Sequence, residues 1–123
     1  MDLDSSIGVS ASGLRAQSLR MRVIAENLAN SDSVATRPGG DPYRRRVATF
    51  KSEVDRASGA TRVTVKSIEG DKSQFQRVYE PGNPAADVAG YVQRPNVNSL
   101  IETADMKAAQ RSYEDNLNAI ESA

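Results

Sequence analysis

Few side chains in this sequence have both the type and the spacing for chemistry. Arg44-Arg45-Arg46 beside Tyr43 is the one basic cluster. An arginine next to an aromatic ring can grip a phosphate and stack on a base, so the triplet is the candidate for an anionic partner. The chain, however, holds 16 basic and 16 acidic side chains and has no formal net charge. On that balance the triplet reads as a strand whose arginines alternate between solvent and acidic neighbours, and no nucleic-acid partner is expected. Glu80 and Asp87 are of the type used in acid–base pairs, but no spacing brings them together. Asp55, Glu69 and Asp71 lack the calcium-loop interval, and neither glycine-rich phosphate motif occurs. With no histidine and no cysteine, nitrogen- or sulfur-ligated zinc, catalytic triads, Cys-His dyads and thiol redox chemistry are excluded. The expectation is a protein without catalytic residues, metal or cofactor, and so not an enzyme.

The elements that carry these residues are more informative. Hydrophobic residues are 38% of the 123, against about 45–50% for an average globular domain on a count that includes glycine. Only six side chains are aromatic: Tyr43, Phe50, Phe75, Tyr79, Tyr91 and Tyr113. Such a chain is a marginal monomer, or its apolar surface is completed by partners. Ile7, Leu14, Met21 and Leu28 recur every seven residues, interleaved with Ala11, Ser18 and Ala25 and widened by Ile24. This stripe predicts a helix over about residues 5–31, ~40 Å long, capped by Ser5 or Ser6, with Gly8 and Gly13 weakening its first turns. A second stripe, Met106, Ala109, Tyr113, Leu117 and Ile120, predicts a helix from Ser99, with Ser99 and Glu102 as a capping box. No Gly or Pro ends that run before Ala123, so this helix is expected to stop because the chain stops.

Between the helices, residues 33–42 read as a loop rich in breakers. Residues 43–54, 62–68 and 75–79 read as strands, residues 57–60 and 70–73 as turns. Glu80-Pro81-Gly82-Asn83-Pro84 is a dense turn cluster, and Arg94-Pro95-Asn96 an extended lead into the last helix. Residues 1–46 carry seven basic and five acidic side chains, residues 97–123 two basic and five acidic, so the two helices attract. Residues 1–13 lack the basic start and apolar run of a cleavable signal, and no window is long and apolar enough to span a membrane. The lack of cysteine suits the cytosol, and equally a protein that crosses an oxidising compartment.

Particular residues also carry a resemblance. Residues 24–32, with Asn27-Leu28-Ala29-Asn30 at their centre, resemble the N-terminal signature of the bacterial flagellar axial family of rod and hook proteins. Residues 78–87, with Tyr79-Glu80-Pro81-Gly82-Asn83-Pro84, followed by 90–92 and 94–98, resemble its proximal rod members, and residues 106–116 the family's closing helix. The resemblance implies paired terminal helices forming the inner coiled-coil layer of a helical tube, with a small β-containing part outside. It implies export unfolded and without signal cleavage through the flagellar type III apparatus, and assembly in the periplasm. The implied partners are further copies of the chain, rod subunits of the FlgB, FlgF and FlgG types, basal-body junction and membrane-ring proteins, and the export apparatus. The family's last helix continues past the point matching Ala123, which implies a shortened inner helix pair here.

The expectation is therefore an α+β chain: an N-terminal helix in residues 1–32, a small β-rich insert in 33–98 and a C-terminal helix in 99–123. Its function is expected to be structural, a subunit of the proximal rod that transmits torque and forms part of the export channel. Ile7, Leu14, Met21, Ile24, Leu28, Met106, Ala109, Tyr113, Leu117 and Ile120 are expected to form the assembly seam, and Asn27 and Asn30 to end the first helix. The alternative is a small soluble helix-plus-β module whose Arg44–Arg46 strand engages an anionic partner.

Overall fold

A computed structural model of the chain describes residues 2–123; the first residue of the expected 1–32 segment, Met1, lies outside the described residues. The architecture is α+β. Helix α1, Leu3–Ala29, and helix α2, Ser99–Glu121, flank a small insert of two antiparallel hairpins. Strand β1, Arg46–Val54, pairs with β2, Thr61–Gly70, and β3, Gln76–Tyr79, pairs with β4, Tyr91–Arg94. Lys66 is the extra residue of a bulge, since Thr49 opposes Ser67 while Phe50 opposes Val65.

Both helix starts lie one or more residues from their expected caps. Asp2, not Ser5 or Ser6, caps α1, its carboxylate accepting from the Ser5 backbone N–H at 2.8 Å. Asn98, not Ser99, caps α2, its amide oxygen accepting from the backbone N–H groups of Leu100 and Ile101. No capping box forms at Ser99, because Glu102 is drawn inward to Arg45 instead. Helix α1 ends at Asn30, whose side-chain amide donates to the carbonyl of Glu26. Strand β4 has no counterpart among the strands that the sequence pattern predicts. Its four residues sit between turn-forming segments, and only pairing with β3 makes them a strand.

Helix α1 is the axis of the molecule. Helix α2 packs along one flank of it and the β1–β2 hairpin along another. The helices run antiparallel: Gly13 of α1 lies against Asn116 of α2, and the first turn of α2 sits near the last turn of α1. The β3–β4 hairpin is held by the 33–42 loop, through the Gly39 N–H on the Ala85 carbonyl and the Gln93 amide on the Gly40 carbonyl. The core is thin, as the composition implies. Its buried apolar residues are Ala16, Val23, Ile24, Ala60, Ala85, Val92 and Ala109, and two of its three largest fully buried side chains, Glu102 and Asn27, are polar.

Candidate functional site

The arginine triplet turns a corner between loop and sheet and is spent entirely inside the chain. Arg45 reaches the first turn of α2, pairing with Glu102, and also meets Asp71 at 3.1 Å and Asp105 at 3.8 Å. Burial works against its charge, but hydrogen bonds and attraction from Glu102 and Asp71 outweigh it and hold the guanidinium protonated. Arg44 lies over the Phe75 ring, 4.2 Å from its centroid, and donates to the carbonyls of Asp71 and Ser73. Arg46 pairs with Glu26 of α1 at 3.1 Å. The cluster therefore ties β1 to both helices and to the end of β2, and the anionic-partner alternative loses the residues on which it rests.

Asn27 is 1% exposed and does more than end a helix. Its Oδ1 accepts from the Arg46 backbone N–H at 2.9 Å and from the Tyr43 hydroxyl at 2.7 Å, while its Nδ2 donates to the Arg46 carbonyl. Burial, followed by the charge of Glu26, raises the Tyr43 phenol above its ordinary range, so it stays a donor. Asn30 does end the helix, its Oδ1 also accepting from the Ser33 hydroxyl.

The two expected seams are only partly covered within one chain. Ile24 and Ala109 are buried at 5% and 0% exposure. Ile7, Leu14, Met21, Leu28, Met106, Tyr113 and Ile120 are half-buried, and Leu117 is exposed. Of the interleaved positions, Ala11 is half-buried while Ser18 and Ala25 face solvent. The most buried stripe of α1 is another one: Ser5, Ser12, Ala16, Val23 and Asn27. These recur at intervals of seven and four, so the signal was present, but in small and polar residues. The hairpin rests on that stripe, and Ser12 makes the approach possible: its hydroxyl donates to the Val9 carbonyl and accepts from the Val63 backbone N–H.

The charge bias of the helices is not used between them; among the described residues no ion pair joins α1 to α2. Glu80 and Asp87 do not form a pair either. Hydrogen bonds from Arg94 and Asn83 hold Glu80 below the usual carboxylate range, and the Tyr91 N–H, with Ala89 and Arg77, does the same for Asp87. They brace the Tyr79–Pro84 turn, where Asn83 bridges Glu80 and the Ala85 N–H, and where Tyr79 meets Tyr91 edge-on at 5.3 Å. Pro81, Gly82 and Pro84 are exposed at its tip. Among the described residues no group of three acidic side chains could hold a metal ion, and no helix is long and apolar enough to cross a membrane.

The arrangement is two long helices joined by a braced insert, and comparison with known proteins shows what such a chain is similar to. The family model described as flagella basal body rod protein matches residues 7–35, and the one described as flagellar basal body rod FlgEFG protein C-terminal matches residues 88–123. The chain is 51% identical over 118 residues to the flagellar basal-body rod protein FlgC of Agrobacterium fabrum, covering 96% of this chain and 85% of that protein. It is 40% identical to FlgC of Salmonella typhimurium, covering 98% and 89%, and 39% identical to FlgC of Bacillus subtilis, covering 94% and 87%. Relatives this similar over nearly their whole length make the chain a member of the FlgC family of flagellar basal-body rod proteins.

Proposed function

We propose that the chain polymerises into the proximal part of the rod through its two terminal helices, as a segment that transmits torque and lines part of the export channel. It is a structural subunit of the flagellar basal-body rod, not an enzyme, and it assembles with other basal-body proteins. In this reading residues 1–32 and 99–123 make the inner coiled-coil layer and residues 33–98 the outer insert. Its partners are further copies, rod subunits of the FlgB, FlgF and FlgG types, and the junction and ring proteins. It reaches the periplasm unfolded through the type III export apparatus.

The observation that carries this reading is the half-covered seam. Ile7, Leu14, Met21 and Leu28 on α1 and Met106, Tyr113, Leu117 and Ile120 on α2 stay partly open after the helices have packed on each other. Covering a large apolar side chain is worth roughly 1.5–3 kcal/mol, so several completed by neighbours drive assembly. A Leu14→Asp, Leu117→Asp chain should keep the insert's hairpins, seen by backbone NMR, and lose rod assembly. Rods and swimming retained in cells that carry only this variant would overturn the proposal.

A further inference from the structure

On the flank of α1 away from α2, an open groove of about 700 Å³ runs between the helix and the β1–β2 hairpin. Ser12, Arg15, Ala16 and Leu19 line it from α1, and residues 53–56 and 62–65 from the hairpin, the carboxylates of Glu53 and Asp55 among them. Its apolar floor includes Val54 and Val65, both exposed, at 61% and 41%. Its lining carries both signs, three arginines against Glu53 and Asp55, and Asp55 is taken up by Arg62 at 3.6 Å. Arg15 and Arg56 border it, Arg22 continues the same flank one heptad on, and all three are exposed with no carboxylate partner among the described residues.

The matching surface lies on the same chain. Residues 114–121 of α2 hold Glu114, Asp115 and Glu121, all three exposed and unpaired among the described residues. Leu117, exposed, stands between them. The chain cannot close this contact on itself. Gly13 is where α1 meets α2 at Asn116, and at 3.6 residues per turn Arg15 and Arg22 point about half a turn away from it.

We propose that the groove receives residues 114–121 of α2 from a second copy of the chain. The carboxylates meet the unpaired arginines of the rim, and Leu117 covers the floor at Leu19, Val54 and Val65. The inference rests on the rod reading and names the surface through which copies meet. Because groove and acidic helix end lie on opposite flanks of α1, the contact is head-to-tail. Repeated, it propagates into a ring or a helical array and does not stop at a dimer.

The natural absence of cysteine supplies the test. A Leu19→Cys, Leu117→Cys chain, oxidised in dilute buffer, should give a ladder of disulfide-linked oligomers, where monomer alone would overturn the groove. In that background, Arg15→Glu with Arg22→Glu should reduce the ladder at least ~10-fold, as should Glu114→Lys with Asp115→Lys. Mixing the two reversed chains should restore it, because each groove then meets a helix end of opposite sign. Unchanged ladders, or no recovery in the mixture while circular dichroism reports intact helices, would also overturn it. Swimming of Agrobacterium fabrum cells that carry the unaltered chain in place of their own FlgC separates the two levels. Swimming without a ladder removes the groove and leaves the rod subunit, whereas a ladder without swimming removes the rod reading and leaves the groove.

Discussion

At the scale of single residues, the fold depends on polar side chains buried with their partners. Asn27 is the clearest case: one amide satisfies the N–H and the carbonyl of Arg46 and takes the Tyr43 hydroxyl. Replacing it by alanine strands three partly buried polar groups, each costing about 1–3 kcal/mol when it finds no water. Asn27→Ala should therefore lose about 3 kcal/mol or more in urea unfolding, whereas Asn30→Ala, at the partly exposed helix end, should lose about 1 kcal/mol. Equal losses would mean that the Asn27 clamp counts only as helix termination. The sequence marks both asparagines through their motif but not their different tasks. Nothing in local spacing says that position 27 will meet position 46, and the same holds for Glu102, which a capping-box interval assigns to Ser99 and the fold assigns to Arg45.

At the scale of elements, the helices were legible because seven-residue apolar recurrence and flanking breakers are local signals. The face on which α1 is most buried was not. Apolar periodicity marks where the bulk lies, while close approach needs small residues, and the small residues assigned to the seam, Ala11, Ser18 and Ala25, are not the ones on which the hairpin and α2 close. Ser12 serves beneath the hairpin and Gly13 beneath α2. A Cβ at Gly13 would stand 2.7–2.8 Å from the side-chain amide of Asn116, whose Nδ2 is held on the Ser112 carbonyl. A Cβ at Gly8 would stand 2.7 Å from Arg62 Nη2, the tip of a long side chain held only by a 3.6 Å ion pair with Asp55. Alanine gains up to about 1 kcal/mol over glycine inside a helix. Gly8→Ala should realise most of that gain in thermal unfolding, because the arginine tip swings aside. Gly13→Ala should be net destabilising by about 1–2 kcal/mol, because the helices must separate. A stabilised Gly13→Ala would show that the helix pair is loose at this crossing.

At the scale of the whole molecule, charge and apolar packing hold different parts together, and acid should separate them. Hydrogen bonds from Ser73, with help from Arg45, hold the Asp71 carboxyl below its ordinary range, and Glu80 and Asp87 are held low by Arg94 and by the Tyr91 N–H. A carboxyl with a folded pKa below its unfolded one leaves the unfolded chain binding more protons in the interval between. The stability it contributes is complete above the ordinary carboxylate range, near about pH 4, and is lost as pH falls through the folded value. These three groups brace the end of β2 and the β3–β4 hairpin. Across α1 and α2, by contrast, the packing is Ile24, Ala109 and the Gly13–Asn116 approach, with no ion pair among the described residues to protonate. The one lowered carboxyl at a helix, Asp2, caps only the first turn of α1, where the Ser5 hydroxyl and N–H hold it down. Acidification from about pH 6 to about pH 3 should then speed amide exchange in residues 76–79 and 91–94 before the helical far-UV signal falls. Glu80→Gln should flatten the acid dependence of the hairpin without moving that of the helices. Loss of both signals in step would mean that the insert and the helix pair unfold as one unit, joined by Arg45 and Asn27 more tightly than the surface carboxylates can loosen.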